Sequence, residues 1–388
     1  MILGTTPTER ADSDILVSTV ESAVHRLDPA GGRSERVHRD GPFDRDLWAL
    51  LAGEVGIGAL AVPEDRGGLG ASLHDIAAVL TLLGAELSRV PYLSTVIATA
   101  VLADAPASTA ADELLARIVA GELVVATVPP SSVVDHTFRA EGAGENVVVS
   151  GSASFVVDAD IADVVLVFAP ATDGSVGLYS VAAGGLTTAR MTTTDGTRVL
   201  STVTADRASA VLLNPRPSVR RLRDHALVAL GCDSLGVASR TLDDAVAYAG
   251  SRVQFGRAVG GFQAVKHRLA EVAVAVELAK SSVAHAVWAV ERGTDHELSE
   301  AAAITAIVCD DAASRATAEN IQVHGGIGFT WEHTAHLYYR RALTNAVLWG
   351  SGAEHAQRLY ELAAPAPARV GPGADSGAVP VPAAGLSS

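Results

Sequence analysis

Two signatures in the C-terminal half decide the fold of this chain: residues 252–256 (RVQFG) followed by Phe262 and Gln263, and residues 322–328 (QVHGGIG), about 70 positions further on. Arginine offers a planar guanidinium that can hold a pyrophosphate through two parallel hydrogen bonds. Glycine lets main-chain N–H groups approach phosphate oxygens, because it has no side chain in the way. Both signatures therefore have the chemistry of a site for a phosphate-bearing cofactor.

Each signature also has a simpler explanation. An arginine at the end of a helix complements the helix dipole. A pair of glycines is a common way to end a helix. Two such motifs in one chain favour the cofactor interpretation over two unrelated helix ends.

The composition is that of a large globular protein. The 388 residues are 48% hydrophobic, with a mean hydropathy of +0.28, which allows a sizeable core and two or three domains. The net charge of −15 and the pI of about 5.2 argue against a nucleic-acid-binding surface. Cys232 and Cys309 lie in apolar stretches without CxxC spacing, so we expect free thiols.

The N-terminus has no apolar run of signal-peptide length. No segment reaches about 18 uninterrupted apolar residues, the minimum for a membrane-spanning helix. We therefore expect a cytoplasmic protein without a membrane span.

Hydrophobic periodicity divides the chain into three parts and a tail. Residues 1–121 carry helical patterns with Gly/Pro breaks, residues 122–215 contain Val/Thr-rich runs typical of strands, and residues 216–363 return to long helical repeats. We predict an α+β fold with an N-terminal all-α domain, a middle β-barrel or β-sandwich, and a C-terminal four-helix bundle. Residues 364–388, rich in Ala, Pro and Gly, are predicted to be disordered.

Individual elements follow from the same patterns, with Ser72 as an expected N-cap. We predict helices at 12–27, 44–51, 74–87, 111–120, 222–250, 267–292, 297–323 and 354–363, and strands at 123–128, 146–150, 163–168, 176–182, 199–203 and 208–212.

The order of the three parts, the two signatures, and a PE-x-x-GG-x-G loop at residues 63–70 together resemble the acyl-CoA dehydrogenase family, over roughly residues 44–362. The resemblance implies an FAD-dependent oxidoreductase that oxidises an acyl thioester between its α and β carbons. In that reaction a carboxylate removes the α proton while hydride leaves for the flavin. The residues that match the family's FAD contacts are Arg252, Gln254, Phe255, Gln263, Gln322, Gly325, Gly326 and Gly328.

The resemblance also implies partners. In the family these groups reach the FAD of a neighbouring subunit, so a homo- or hetero-tetramer is expected. The substrate would be an acyl-CoA or an acyl-carrier-protein thioester. Electrons would pass to an electron-transfer flavoprotein or a similar acceptor.

The middle domain departs from the family pattern. Relatives commonly carry T-E-P-x-x-G-S-D over the flavin ring, whereas residues 127–132 read TVPPSS, without the acid and the glycine. Residues 155–158 (FVVD) resemble the strand that packs on the flavin, and Ala162-Asp163 matches an Ala-Asp that often follows. Ordinary strands and turns explain both segments as well.

The family's catalytic glutamate is missing from both places where relatives carry it. In most relatives it lies in an E-G-T-type turn, and Trp349 holds that position here. In a smaller group it lies about 26 positions before the signature arginine, which is Ala226. The nearest acids are Asp224 and Glu354, each of which has an alternative use as a helix N-terminal carboxylate.

A metal site is not indicated. His324, Glu332, His333 and His336 are close in sequence, but their spacing matches no metal motif.

Three hypotheses remain open. The chain is a subunit that keeps the fold but relies on a partner for the base, or a self-sufficient dehydrogenase with a displaced base, or a flavin enzyme or scaffold that no longer dehydrogenates.

Overall fold

The computed structural model describes residues 7–29, 33–130, 136–142, 144 and 146–364. A group of helices is followed by a β-sheet region and then by a helical bundle, which confirms the predicted order. The described residues exclude 365–388, which is all of the predicted disordered tail except its first residue. They also exclude positions 131 and 132 of the altered segment.

Six helices form the described N-terminal part: α1 Pro7–Leu27, α2 Arg33–Asp40, α3 Arg45–Ala49, α4 Leu73–Ala85, α5 Tyr92–Asp104 and α6 Thr109–Val119, with a π-helical turn at Leu50–Val55. Ser72 caps α4 as predicted, since its hydroxyl accepts a 3.2 Å hydrogen bond from the N–H of Asp75. The sequence prediction missed α2 and α5. Ten of the 13 residues of α5 are buried, so this helix has no polar face from which a helical period could be read.

The middle part is a seven-stranded sheet with strands β1 Val125–Thr127, β2 Arg139–Glu141, β3 Val147–Val157, β4 Val164–Pro170, β5 Val176–Ala182, β6 Leu186–Arg190 and β7 Leu200–Asn214. The strand order is β1-β4-β5-β7-β3-β2, with β6 also paired to β7, and every pairing except β1 with β4 is antiparallel. The long strand β7 pairs with β3 and β6 near its start and with β5 near its end, so it joins two groups of strands.

The prediction of two strands at 199–203 and 208–212 was wrong, because β7 continues through the polar residues between them. Arg207 has φ of 50°, and the partner strand β3 shifts register between Val149 and Gly151. A bulge of this kind breaks the alternation of apolar and polar residues without ending the strand.

The C-terminal part contains three long helices, α7 Val219–Ser251, α8 Gln263–Arg292 and α9 Asp295–His324, and two short ones, α10 Ala335–Asn345 and α11 Gly352–Ala363. A two-stranded hairpin, β8 Val253–Gln254 with β9 Arg257–Ala258, separates α7 from α8. The helix α9 contacts the other four, and α10 was not predicted. Among the described helices, α8 alone is long and apolar enough to cross a membrane, and it packs against α7 and α9.

A buried group of charges joins the middle sheet region to the bundle. Arg341 on α10 lies 3.2 Å from Asp233 on α7, and its guanidinium donates to the hydroxyl and carbonyl oxygens of Thr197 at 2.9 and 3.0 Å. Arg198 reaches the other oxygen of Asp233 at 3.2 Å, and Asp195 lies 3.3 Å from Arg341. Although burial opposes ionisation, Arg341 and Arg198 hold the pKa of Asp233 below its usual value.

We expect Arg341→Met to lower the free energy of unfolding by about 3–5 kcal/mol, because it leaves Asp233 and Asp195 buried with insufficient compensation. Urea denaturation at pH 7 measures the loss. The matched control is Arg315→Met, since Arg315 pairs with Asp311 at 2.8 Å on an exposed face of α9. The control substitution should lower the free energy of unfolding by less than about 1 kcal/mol. Equal losses for the two variants would contradict a stabilising role for the buried ion pairs of Arg341.

Candidate functional site

A cavity of about 380 Å³ brings together segments that the sequence singled out separately. It lies between the sheet region and the end of α10, and its lining residues are Pro129, Phe155, Thr193, Thr194, Leu200, Leu343, Thr344, Val347, Leu348 and Trp349. Pro129 comes from the altered TVPPSS segment, Phe155 from the FVVD strand, and Trp349 from the position of the missing glutamate. The structure thus brings these three segments together at one place.

No described residue that lines this cavity has a titratable side chain. Its described residues are aliphatic, aromatic, proline or threonine. A general base must lie within hydrogen-bond reach of the proton that it removes. The cavity can therefore pack against a flat apolar ligand. None of its described lining residues could accept a proton from that ligand.

Two bulky residues of the cavity have an unfavourable backbone conformation. Trp349 has φ of 61° and is 3% exposed, and Phe155 also has φ of 61°. Residues other than glycine rarely adopt positive φ, and those that do cluster at functional sites. The turn is completed by Gly350 at φ 112°, where an added Cβ would lie 3.0 Å from Cε1 of His355.

Glu354, one of the two candidate bases, has a structural role. Its carboxylate accepts hydrogen bonds from the backbone N–H and the hydroxyl of Ser351 at 2.6 and 2.7 Å, which is a capping box at the start of α11. These hydrogen bonds lower the pKa of Glu354. The side chain does not line the cavity at Trp349.

Asp224, the other candidate, is buried inside the bundle. It accepts a 2.6 Å hydrogen bond from the hydroxyl of Ser299 on α9, and its second oxygen pairs with Arg358 on α11. Both oxygens therefore connect helices to one another. Ala226, the alternative family position, is fully buried and offers only a methyl group.

The two glycine- and arginine-containing signatures meet at one end of the bundle. Val259 and Val265, beside the first signature, pack with Val323 of the second on a small core around Ala249. The rings of Tyr248 and His324 lie 4.2 Å apart. The two signatures thus lie side by side on one surface at this end of the bundle.

This surface carries groups of the kind that can bind an anion. α8 begins at Gln263 with no side-chain cap, so its first N–H groups point outward at the positive end of a 30-residue helix. Arg252 is exposed at the end of α7 and forms no ion pair within the part of the chain that the structure describes. The combination suits a pyrophosphate.

The glycines of the second signature fall into two classes. At Gly325 and Gly326 no described atom lies within 4 Å of where a Cβ would stand, so their main chain is open to a ligand. At Gly328 an added Cβ would lie 2.9 Å from the Cβ of His324, so that glycine serves packing. Gln322 is exposed on the last turn of α9, beside the open pair.

The hairpin of the first signature projects apolar side chains outward. Its turn is Phe255-Gly256, with φ of 50° and 78°, as tight hairpins require. Phe255 is 94% exposed, and Phe329, which follows the second signature, is 85% exposed. Large apolar side chains standing in water at a candidate ligand site mark a contact with another chain.

The histidines near the second signature form ring contacts rather than a ligand set. The ring of His324 contacts the tilted ring of Tyr248 and lies 4.4 Å from that of His333, while His336 contacts Trp331. Within the described residues there is no group of three or more His, Cys, Asp or Glu side chains that could hold a metal ion.

Asp158, the last residue of the FVVD segment, is a site feature that the sequence did not identify. It is buried beside the charged group around Arg341 and accepts a 2.7 Å hydrogen bond from Ser94 on α5. Burial raises the pKa of Asp158 to about 6, despite the hydrogen bond from Ser94 and the charges of Arg198 and Arg341. No pattern in the sequence distinguishes this buried carboxyl from a surface aspartate.

Known proteins resemble this chain along nearly its whole length. Residues 222–361 match the family model of the acyl-CoA dehydrogenase C-terminal domain. The chain is 35% identical to acyl-CoA dehydrogenase IpdE2 of Mycobacterium tuberculosis, over 92% of this chain and 97% of that protein.

Solved structures agree with this similarity. A variant of the Tcur3481-Tcur3483 steroid ACAD matches with a TM-score of 0.83 and 27% identity, over 91% of this chain and 98% of that one. A chain of the ChsE4-ChsE5 complex from Mycobacterium tuberculosis matches with a TM-score of 0.83 and 26% identity, over 94% and 100%.

We expect Asp158→Asn to stabilise the protein at pH 7, by about 3 kcal/mol if the whole pKa shift is recovered. The asparagine oxygen can still accept from Ser94. Between about pH 4 and pH 6 the native carboxyl keeps a proton that the unfolded chain has lost, so the wild type loses stability as the pH rises through that window. Urea midpoints at pH 4 and pH 7 test this.

The gain of the asparagine variant should be largely lost near pH 4, where the native carboxyl is protonated and the unfolded carboxyl is about half protonated. Asp173→Asn, on an exposed turn, is the matched control and should not reproduce the pattern. A loss of stability at pH 7 in Asp158→Asn would show that the pKa of the native carboxyl is not raised, because the charges of Arg198 and Arg341 would then outweigh the effect of burial.

Proposed function

The chain belongs to the acyl-CoA dehydrogenase family of FAD-dependent oxidoreductases that act on CH–CH bonds, and we propose that it is the subunit of a heteromeric member that lacks its own catalytic base. The observation that carries the proposal is the cavity at Trp349, where no described lining residue can accept a proton. The family's chemistry needs a carboxylate within reach of the α proton. A partner chain would supply it.

The chain's own contribution is then binding and assembly. Arg252, the uncapped start of α8 and the open main chain of Gly325 and Gly326 would hold the pyrophosphate of an FAD whose ring lies in the neighbouring subunit. No residue of either signature lines the cavity at Trp349. This separation of the two signatures from the cavity supports the proposal that the signatures bind a cofactor across a subunit interface.

When bound, the flavin accepts the β hydrogen of the acyl thioester as hydride. Because the ring of that flavin would lie in the neighbouring subunit, this chain would bind and orient the cofactor through its two signatures rather than through the apolar cavity at Trp349. The exposed Phe255 would be covered by the partner and would fix the hairpin beside the cofactor.

The comparisons support both the partner and a substrate class. The ChsE4-ChsE5 structure is a complex of two named chains, and the other similar structure, Tcur3481-Tcur3483, is named a steroid ACAD. A steroid-derived acyl-CoA is therefore the substrate class that we propose to test first. An electron-transfer flavoprotein or a similar protein would take the electrons.

The deciding experiment is the absorbance spectrum of the chain purified alone and after co-expression with neighbouring dehydrogenase genes, followed by anaerobic addition of an acyl-CoA. We expect flavin to be retained and bleached only in the two-chain complex. Bleaching by the chain alone would refute the proposal and indicate a hidden base. Absence of flavin in every complex would favour a scaffold.

Within the complex, Glu354→Gln should leave the rate of flavin bleaching unchanged within about twofold. Glutamine keeps the capping box with Ser351 and removes only the basicity. Loss of a true general base would slow the reaction by about 10²- to 10⁴-fold, so stopped-flow absorbance separates the outcomes clearly.

Arg252→Ala should lower the flavin retained by the complex by roughly 10-fold or more, because hydrogen bonds to charged groups contribute about 1.5–3 kcal/mol. The ratio of flavin to protein absorbance after gel filtration measures the effect. Arg292→Ala, at the exposed far end of α8, is the matched control. Equal flavin content in both variants would show that Arg252 does not bind the cofactor.

A further inference from the structure

We propose that a second cavity, between the N-terminal helices and the bundle, binds a small uncharged apolar molecule that carries one hydroxyl or carbonyl group. The cavity has a volume of about 540 Å³, which lies within the range of small-molecule sites. It shares no lining residue with the cavity at Trp349. The inference therefore does not depend on the proposed function.

The walls of this cavity come from four packed helices and from the loop at residues 61–72. Ile76 and Leu80 come from α4, Val96 from α5, Val228 from α7, and Val287 from α8. These helices pack against one another, so the cavity is bounded by rigid elements rather than by loops alone. A preformed cavity with apolar walls is the usual form of a site for an apolar ligand.

Alanines keep the cavity open. Ala77, Ala100 and Ala229 line it from α4, α5 and α7, at positions where any larger side chain would occupy the space. Well-packed interiors contain few voids of this size. Three small residues on three facing helices therefore leave room for something other than the chain itself.

His225 provides the polar group of the site. Its Nε2 atom is buried and has no hydrogen-bond partner within the described part of the chain. Burial, and then the charge of Arg221, lower the pKa of His225 to about 4, so the imidazole is neutral near pH 7. A buried nitrogen without a partner costs about 1–3 kcal/mol, and a ligand oxygen or hydroxyl would remove that cost.

The charges at the cavity rim already have partners. Arg221 lies 3.8 Å from Asp104 and 3.4 Å from Asp295, and Glu291 accepts a 3.0 Å hydrogen bond from the N–H of Leu73. A charged ligand would have to break these contacts or enter apolar walls at high cost. The rim thus selects against ions.

The site lies on a face of α7 separate from the family's catalytic positions. Its α7 lining residues are Arg221, His225, Val228, Ala229 and Cys232, which form one stripe at helical spacing. Ala226, where some relatives carry the base, is not among them. The cavity is therefore an additional site rather than an extension of the reacting centre.

Isothermal titration of the full-length protein with 1-adamantanol, a compact neutral hydrocarbon with one hydroxyl, tests the proposal. Adamantane-1-carboxylate serves as the charged comparison. We expect the alcohol to bind with a stoichiometry of one and the carboxylate at least 10-fold more weakly. Equal affinities, or no binding of the alcohol, would overturn the proposal.

Variants locate the bound probe. Ala100→Leu should abolish binding by filling the cavity, whereas Ala247→Leu, at an exposed position on α7, should not change it. His225→Phe keeps an aromatic ring and removes the hydrogen bond. It should therefore lower the affinity for 1-adamantanol about 3- to 10-fold. If Ala100→Leu binds 1-adamantanol with unchanged affinity, the probe does not bind in this cavity. Unchanged affinity of His225→Phe would refute the role of Nε2.

Discussion

The balance of buried charge around Arg341 and Asp233 is the constraint on which the positions of the other elements depend. Two arginines and two aspartates from α7, α10 and the segment before β7 neutralise one another out of contact with water. None of these elements can move without exposing or isolating a charge, which is costly in a protein interior. The end of α10 is therefore fixed, and with it the turn that holds Trp349.

The backbone of this turn is held independently of the side chain at position 349. The backbone around Trp349 is held by Asn345, which donates to Asp233 at 2.7 Å, and by the cap of α11 at Ser351. Neither contact involves the side chain at position 349. The backbone position of residue 349 is therefore set by these contacts, while the Trp349 side chain packs in the core.

Much of the fold followed from sequence, but the roles of individual charges did not. The helix α9 and the strand β5 are each flanked by glycines, at positions 293 and 325 and at 174 and 184, and were predicted close to their observed bounds. The helix α5 was missed because it is buried nearly all round. Asp224 and Glu354 were candidates by position alone. Their partners, Ser299, Arg358 and Ser351, are fixed by tertiary packing and helix capping, which a one-dimensional pattern does not report.

The exposed Phe255 has a consequence for the life of the chain before assembly. Phe255 is 94% exposed on its hairpin, and Phe329, which follows the second signature, is 85% exposed. Exposed apolar side chains of this size can bind chaperones and other unfolded chains. A chain with such a surface can aggregate in the interval between its synthesis and its assembly. Rapid assembly would then protect the protein as effectively as a gain in its folding stability.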